Sequence, residues 1–126
     1  QVKEEIITRM GELGCIINSG KLIFNPKLLK ISEFLTESST FSYVDVHQSM
    51  CKLNLNQNQL AFTYCQVPIV YELRDKGHSI SVLYANNENE NINGDSLSKE
   101  MSSELFSRSG KIKKIRVCFE RSYFLF

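Results

Sequence analysis

His47 and Cys51 are the first pair in this sequence whose types could share a chemical task, since an imidazole and a thiolate both ligate zinc. Four residues apart, they would share a face on a helix but not on a strand, and the residues around them read as strand and turn. The cysteines Cys15, Cys51, Cys65 and Cys118 contain no C-x-x-C pair, and only His47 and His78 are there to complete a metal set, so no metal site is expected. Cys15, Cys65 and Cys118 each stand among apolar residues, where a free cysteine behaves as a small buried hydrophobe. Four cysteines permit three disulfide pairings, but a chain of this size needs none, and reduced thiols are the expectation.

Nucleophilic catalysis would need Cys65 beside His47 as its base. An activated thiolate requires an electropositive, partly open site, whereas Cys65 follows an apolar run that reads as mid-strand. The carboxylate pairs Glu33 with Glu37 and Glu88 with Glu90 sit in polar segments with nothing nearby to raise a pKa, so they read as solvated surface. There is no G-x-S-x-G, phosphate loop or G-x-G-x-x-G. No catalytic residue, cofactor or metal ligand is therefore assigned, and the binding residues remain unassigned.

Two surface readings stay open. Arg108, Lys111, Lys113, Lys114 and Arg116 form a basic stretch that could meet phosphate. Alternation divides it, with Lys111 and Lys113 on one side and Lys114 and Arg116 on the other, and cations on an edge strand also deter sheet-to-sheet association. Tyr43, Tyr64, Tyr71, Tyr84 and Tyr123 could stack on sugar rings if clustered on an exposed surface beside polar partners such as Gln66 or Asn58. Tyrosine is also a routine half-buried strand residue, and the chain has no tryptophan.

The elements that must position these residues belong to an ordinary soluble domain. The chain has 126 residues, 42% hydrophobic and 23% charged, with a net charge of +1, which excludes a strongly basic nucleic-acid binder. No apolar run approaches the ~20 residues of a membrane span, and no signal-peptide pattern opens the chain, so a cytoplasmic location is expected. Val2, Ile6, Met10 and Leu13 recur at helical spacing and Gly14 offers a stop, predicting a lead-in helix over 2–13. Cys15-Ile16-Ile17-Asn18 and Lys21-Leu22-Ile23-Phe24 flank Ser19-Gly20 as a hairpin. Further strands are expected at 40–46, around Leu53 and Leu55, at 60–65 as a central strand, at 69–71 beyond a break at Pro68, at 79–84 and at 111–119. Residues 86–94 read as a loop. Asp95 or Ser96 would cap a short helix carrying Leu97, Met101, Leu105 and Phe106. The sum is an all-β class, an antiparallel β-sandwich with an N-terminal helix and one short late helix. It forms a single domain over 1–126, with 1–13 as lead-in and 14–126 as the β-rich part. Because the chain begins at Gln1, it is expected to be a piece of a longer polypeptide.

The segment from Gly14 to Leu29, with Gly20-Lys21-Leu22-Ile23-Phe24-Asn25-Pro26 at its heart, resembles a junction in cellobiose and maltose phosphorylases and related (α/α)6-barrel glycosidases. There the barrel gives way to a C-terminal β-sandwich: a helix ends at glycine, a turn follows, and a strand carries Gly-x-Leu-x-Phe-x-Pro before a Leu-rich stretch. The later strand order, through Phe41 and Tyr43, Leu53 and Leu55, and Ile80 to Tyr84, is similar as well. The resemblance spans roughly residues 13–119. It implies a noncatalytic accessory domain of a glycoside hydrolase-like or phosphorylase-like enzyme, with the (α/α)6 barrel as its partner. The family's catalytic acid and phosphate site lie in the barrel, so no catalytic residue carries over. The alternatives are an independent carbohydrate-binding module and a small α+β ligand-binding domain, and neither nucleic acid nor membrane is an expected partner.

Overall fold

The computed structural model describes residues 13–26, 29, 34–75 and 77–123. The predicted lead-in helix lies outside them except for Leu13, as do Glu33 and the turn residue Lys76. Nine strands are found among the described residues. β1 (Cys15–Asn18) and β2 (Lys21–Phe24) form one hairpin, and β3 (Ser39–Val44) and β4 (Met50–Leu55) form another. β5 (Gln59–Tyr64), β6 (Val67–Arg74), β7 (Ser79–Tyr84), β8 (Asn89–Asn93) and β9 (Ile112–Glu120) build a five-stranded sheet in the order β5-β6-β9-β7-β8. One helix, α1 (Lys99–Phe106), precedes β9. The class is all-β and mostly antiparallel, as expected, with β6 and β9 the parallel pair.

The local chemistry of the tight turns is legible. Ser19 and Gly20 both have positive φ, 54° and 78°, the requirement of a two-residue hairpin whose twist matches its strands. Cys65 and Gln66 repeat the device at 52° and 64° between β5 and β6. Cys65 is thus a turn residue and not part of a strand. The predicted break at Pro68 does not occur, because Tyr64–Val67 is the pair that closes the turn and Pro68 falls at the next, non-hydrogen-bonded pair opposite Thr63. On its other side the ladder to β9 starts only at Ile69, so no donor is missed.

The core lies between one face of the sheet and a layer made by β2 and α1. Ile69, Tyr71, Ile80, Val82, Ile115, Val117 and Phe119 project from the sheet, against Leu22 and Phe24 of β2 and Leu97, Met101 and Leu105. The late helix presents the apolar face its spacing predicts, but Ser98 caps it, its hydroxyl accepting from the Met101 amide at 3.2 Å. Asp95 and Ser96 are otherwise engaged. Phe24 N donates to Asp95 O at 2.8 Å and Leu97 N to Leu22 O at 2.9 Å, so residues 95–97 run along β2 before the helix begins.

Ser102 ties the two parts of this layer together. Fully buried, its hydroxyl accepts from Leu22 N at 2.9 Å and donates to Ser98 O at 2.7 Å. Ser102→Ala leaves a buried amide without its acceptor and is expected to cost about 1–3 kcal/mol, read as a lower urea midpoint at unchanged slope.

Three other expectations are corrected by the sheet order. The 60–65 strand is not central: β5 is an edge strand and mostly half-buried, and β6 beside it is buried from Val67 to Tyr71. The Asn-rich stretch is not all loop, since 89–93 pairs with β7 from Ser79↔Asn93 to Leu83↔Asn89. Backbone donors and acceptors on the flank of β7 are satisfied whatever side chains the partner carries. The basic stretch is not on an edge, since β9 lies between β6 and β7.

Candidate functional site

The β3–β4 hairpin carries a polar concavity toward the turn end of the sheet. A cleft of about 250 Å³ lies between its tip and the β5–β6 and α1–β9 connections, lined in part by Tyr43, Asp45, His47, Cys51, Gln66 and Lys113. Asp45 organises the tip. Its Oδ1 accepts from the amides of His47 (2.9 Å) and Ser49 (3.0 Å), and its Oδ2 accepts from the Cys51 thiol at 3.5 Å. Its carbonyl accepts from the Gln48 amide at 3.0 Å and from Gln66 Nε2 at 3.1 Å, which anchors the tip to the β5–β6 turn. An aspartate opening Asp45-Val46-His47-Gln48-Ser49 is the local signal that reveals this role, since Asx side chains nucleate such turns.

Lys113 reaches the cleft because the β7–β9 register slips between Leu83↔Lys114 and Tyr84↔Ile112, leaving Lys113 as the extra residue of a bulge. The His47 ring packs over Gly110, where an added Cβ would lie 3.3 Å from it. His47, Cys51 and Gln66 are therefore brought together around one cleft, the first two by the hairpin tip and not by helical spacing. Cys65 and Asn58 are not. Cys65 packs against the main core, and Asn58 spends its backbone on Leu35 and Leu73 at the far end of β5.

The electrostatics of the cleft hold its carboxylate charged and its thiol protonated. The Ser49 amide is the main reason that Asp45 stays below the ordinary carboxylate range; desolvation opposes it, and the His47 amide and the Cys51 thiol reinforce it. Desolvation and the neighbouring Asp45 push the Cys51 thiol up, against the pull of Tyr43 and Lys113. Cys51 is thus held as a hydrogen-bonding thiol and not as a thiolate nucleophile. Burial also raises Cys15, to about 12, together with Cys65 and Cys118. All four thiols are free. Among the described residues no cluster of three or more His, Cys, Asp or Glu is placed to hold a metal ion.

The tyrosines disperse. Tyr71 is buried in the core, Tyr64 tilts against Phe106, Tyr84 donates to Glu90 at 2.9 Å, and Tyr123 packs with His78 and Phe119 while donating to Asn25. Only Tyr43 faces the cleft, stacked on Phe41 with centroids 5.8 Å apart and planes at 18°. Glu37, Glu88 and Glu90 are exposed, in keeping with solvated surface.

The basic stretch separates three ways. Lys111 pairs with Glu104 at 3.5 Å, Lys113 lines the cleft, and Lys114 and Arg116 project from the sheet face opposite the core. On that face Glu72 is engaged by Arg74 Nε at 2.6 Å and by Gln59 Nε2 at 2.7 Å. Burial raises the Glu72 carboxyl, but these two donors and the charges of Arg74 and Arg116 outweigh it and leave it below its usual range. Arg116 Nε is buried with no hydrogen-bond partner, an arrangement that costs about 1–3 kcal/mol for a polar group left unmatched.

No helix among the described residues is long and apolar enough to cross a membrane. No protein-family model matches the sequence, and no curated protein proves similar to it.

Proposed function

We propose that this chain is a noncatalytic accessory domain of a larger glycoside-active enzyme, packing against an (α/α)6 barrel in the manner that the resemblance of residues 14–29 implies. The observation that supports this reading is a pair of exposed apolar residues on the first hairpin. Ile16 and Ile17 are 46% and 55% exposed on an edge strand within the segment that carries the resemblance. Adjacent exposed branched residues beside a strand edge unpaired among the described residues are a docking feature that isolated soluble domains ordinarily avoid.

The test is to assay the purified chain on β- and α-linked disaccharides, with and without inorganic phosphate, and to follow binding of an apolar fluorescent dye. No turnover is expected, and dye binding should fall in the double variant Ile16→Ser, Ile17→Ser. Hydrolysis or phosphorolysis by the chain itself overturns the proposal.

A carbohydrate-binding module is the second reading, favoured by the Phe41–Tyr43 stack leading into a cleft that also holds Asp45 and Gln66. Calorimetric titration with glycans separates the two, since this reading requires saturable binding that Tyr43→Ala removes.

A further inference from the structure

Lys114 and Arg116 occupy a central strand, so protection of a sheet edge does not account for them. The register places them in two neighbouring rows on the sheet face away from the core. Asn89, Leu83 and Lys114 are directly opposite one another in one row, and Asn91, Ser81 and Arg116 in the next. Residues opposite in register share a face, so these side chains converge. Between them is a polar hollow of about 170 Å³ lined by Ser81, Leu83, Asn89, Lys114 and Arg116. Neither row contains a carboxylate.

The charges in this hollow are not internally balanced. The nearest acid, Glu72, belongs to the following rows and is already held by Arg74 and Gln59. Counting Arg74, Lys114 and Arg116 against Glu72 and Glu120, which stands opposite Arg74 in the register, three positive charges face two negative and leave +1 on the patch. Neither Lys114 nor Arg116 has a salt bridge among the described residues, and Arg116 Nε lacks an acceptor. Burial first, and then the charge of the adjacent Arg116, lower the half-buried Lys114 ammonium, with Glu72 opposing them. A bound anion would relieve all three costs together. Arginine supplies a planar donor fork suited to phosphate oxygens, lysine a point charge, and the Ser81 hydroxyl and Asn89 amide further donors.

We infer that the hollow formed by Ser81, Asn89, Lys114 and Arg116 is a binding site for a small phosphate-class oxyanion, either free phosphate or the phosphate of a monoester. The site stands apart from the Asp45 cleft, and the inference does not depend on the accessory-domain reading.

The test is a titration of the isotope-labelled chain with inorganic phosphate, followed by amide chemical shifts at ionic strength held constant with chloride. Saturable shifts are expected at Ser81, Leu83, Asn89, Lys114 and Arg116. Asn89→Asp sets a carboxylate on the exposed rim without touching the central strands, and Lys114→Gln removes one charge. Each should weaken binding by roughly tenfold or more. A phosphomonoester such as glucose 1-phosphate, titrated in parallel, identifies the source. Tighter binding than inorganic phosphate assigns the site to an ester, and equal or weaker binding assigns it to the free anion. The inference is overturned by failure to saturate, by shifts scattered over Lys21, Lys52 and Lys99, or by unchanged affinity in Asn89→Asp while its spectrum remains that of the folded chain.

Discussion

Tyr71→Ala is expected to remove about 3–5 kcal/mol of stability, the cost of truncating a fully buried aromatic side chain in a packed core. Tyr71 has no exposed surface, and it is the centre of an aromatic cluster. Phe62, Phe119 and Phe24 meet its ring edge-on, with centroids at 5.0, 5.1 and 6.1 Å. These three rings come from β5, β9 and β2, so the cavity left by truncation would open between both layers at once. The hydroxyl has a separate role. It donates to the carbonyl of Leu13, with the Cys15 thiol 4.0 Å away, and thereby fastens the start of the first hairpin to the middle of the sheet. Tyr71→Phe keeps the ring and orphans that carbonyl, so it should cost about 1–3 kcal/mol. Urea unfolding monitored by circular dichroism gives both values, provided the slope is unchanged. A Phe variant as stable as the parent would show that the Leu13 contact contributes nothing net.

Gly14→Ala is expected to destabilise the chain by about 2–5 kcal/mol, because two penalties coincide there. Its φ of +71° lies in the left-handed region, and a Cβ would stand 2.2 Å from Asn25 O and 2.5 Å from Pro26 N. Those are backbone atoms, fixed by the Asn25 N–Gly14 O hydrogen bond of 2.8 Å, so no rotamer change makes room. Gly20 is the matched control. Its φ is +78° but nothing lies within 4 Å of the added carbon, so Gly20→Ala should cost only the conformational part, about 1–2 kcal/mol. The difference between the two thermal or urea midpoints measures the close approach alone. Equal losses would mean that the hairpin base shifts to accommodate the methyl group.

The first hairpin was legible because its information is local. Ser19-Gly20 between two four-residue apolar runs states the turn and the strands, and the Leu97-Met101-Leu105 spacing states the buried face of the late helix. The cap of that helix was not legible in the same way. Asp95 and Ser96 are as good as Ser98 in isolation, and pairing of residues 95–97 with β2 decides among them. Pro68 misleads for a related reason. Its missing donor matters only if a neighbouring strand asks for it, and the phase of the ladder set by the Cys65-Gln66 turn ensures that none does.

The candidate sites divide along the same line. Asp45 declares its turn from its own side chain, but the meeting of that turn with Gln66 and Lys113 depends on how one hairpin lies against another and on a bulge. Separation of Lys113 from Lys114 and Arg116 follows from simple alternation. Their place in the middle of a sheet, opposite Ser81 and Leu83, does not. What the amino-acid sequence by itself determined was therefore the all-β class, the Ser19-Gly20 turn and the inward face of the late helix, because these rest on the two-residue period of a strand and on residues a few positions apart. Which strands are central, which polar side chains converge and which charges are left without partners were decided only by the tertiary structure. Strand order is set by contacts between residues 28 to 46 positions apart, such as Ile69 with Ile115, and burial from both flanks, which no local pattern encodes, makes one strand central and another an edge.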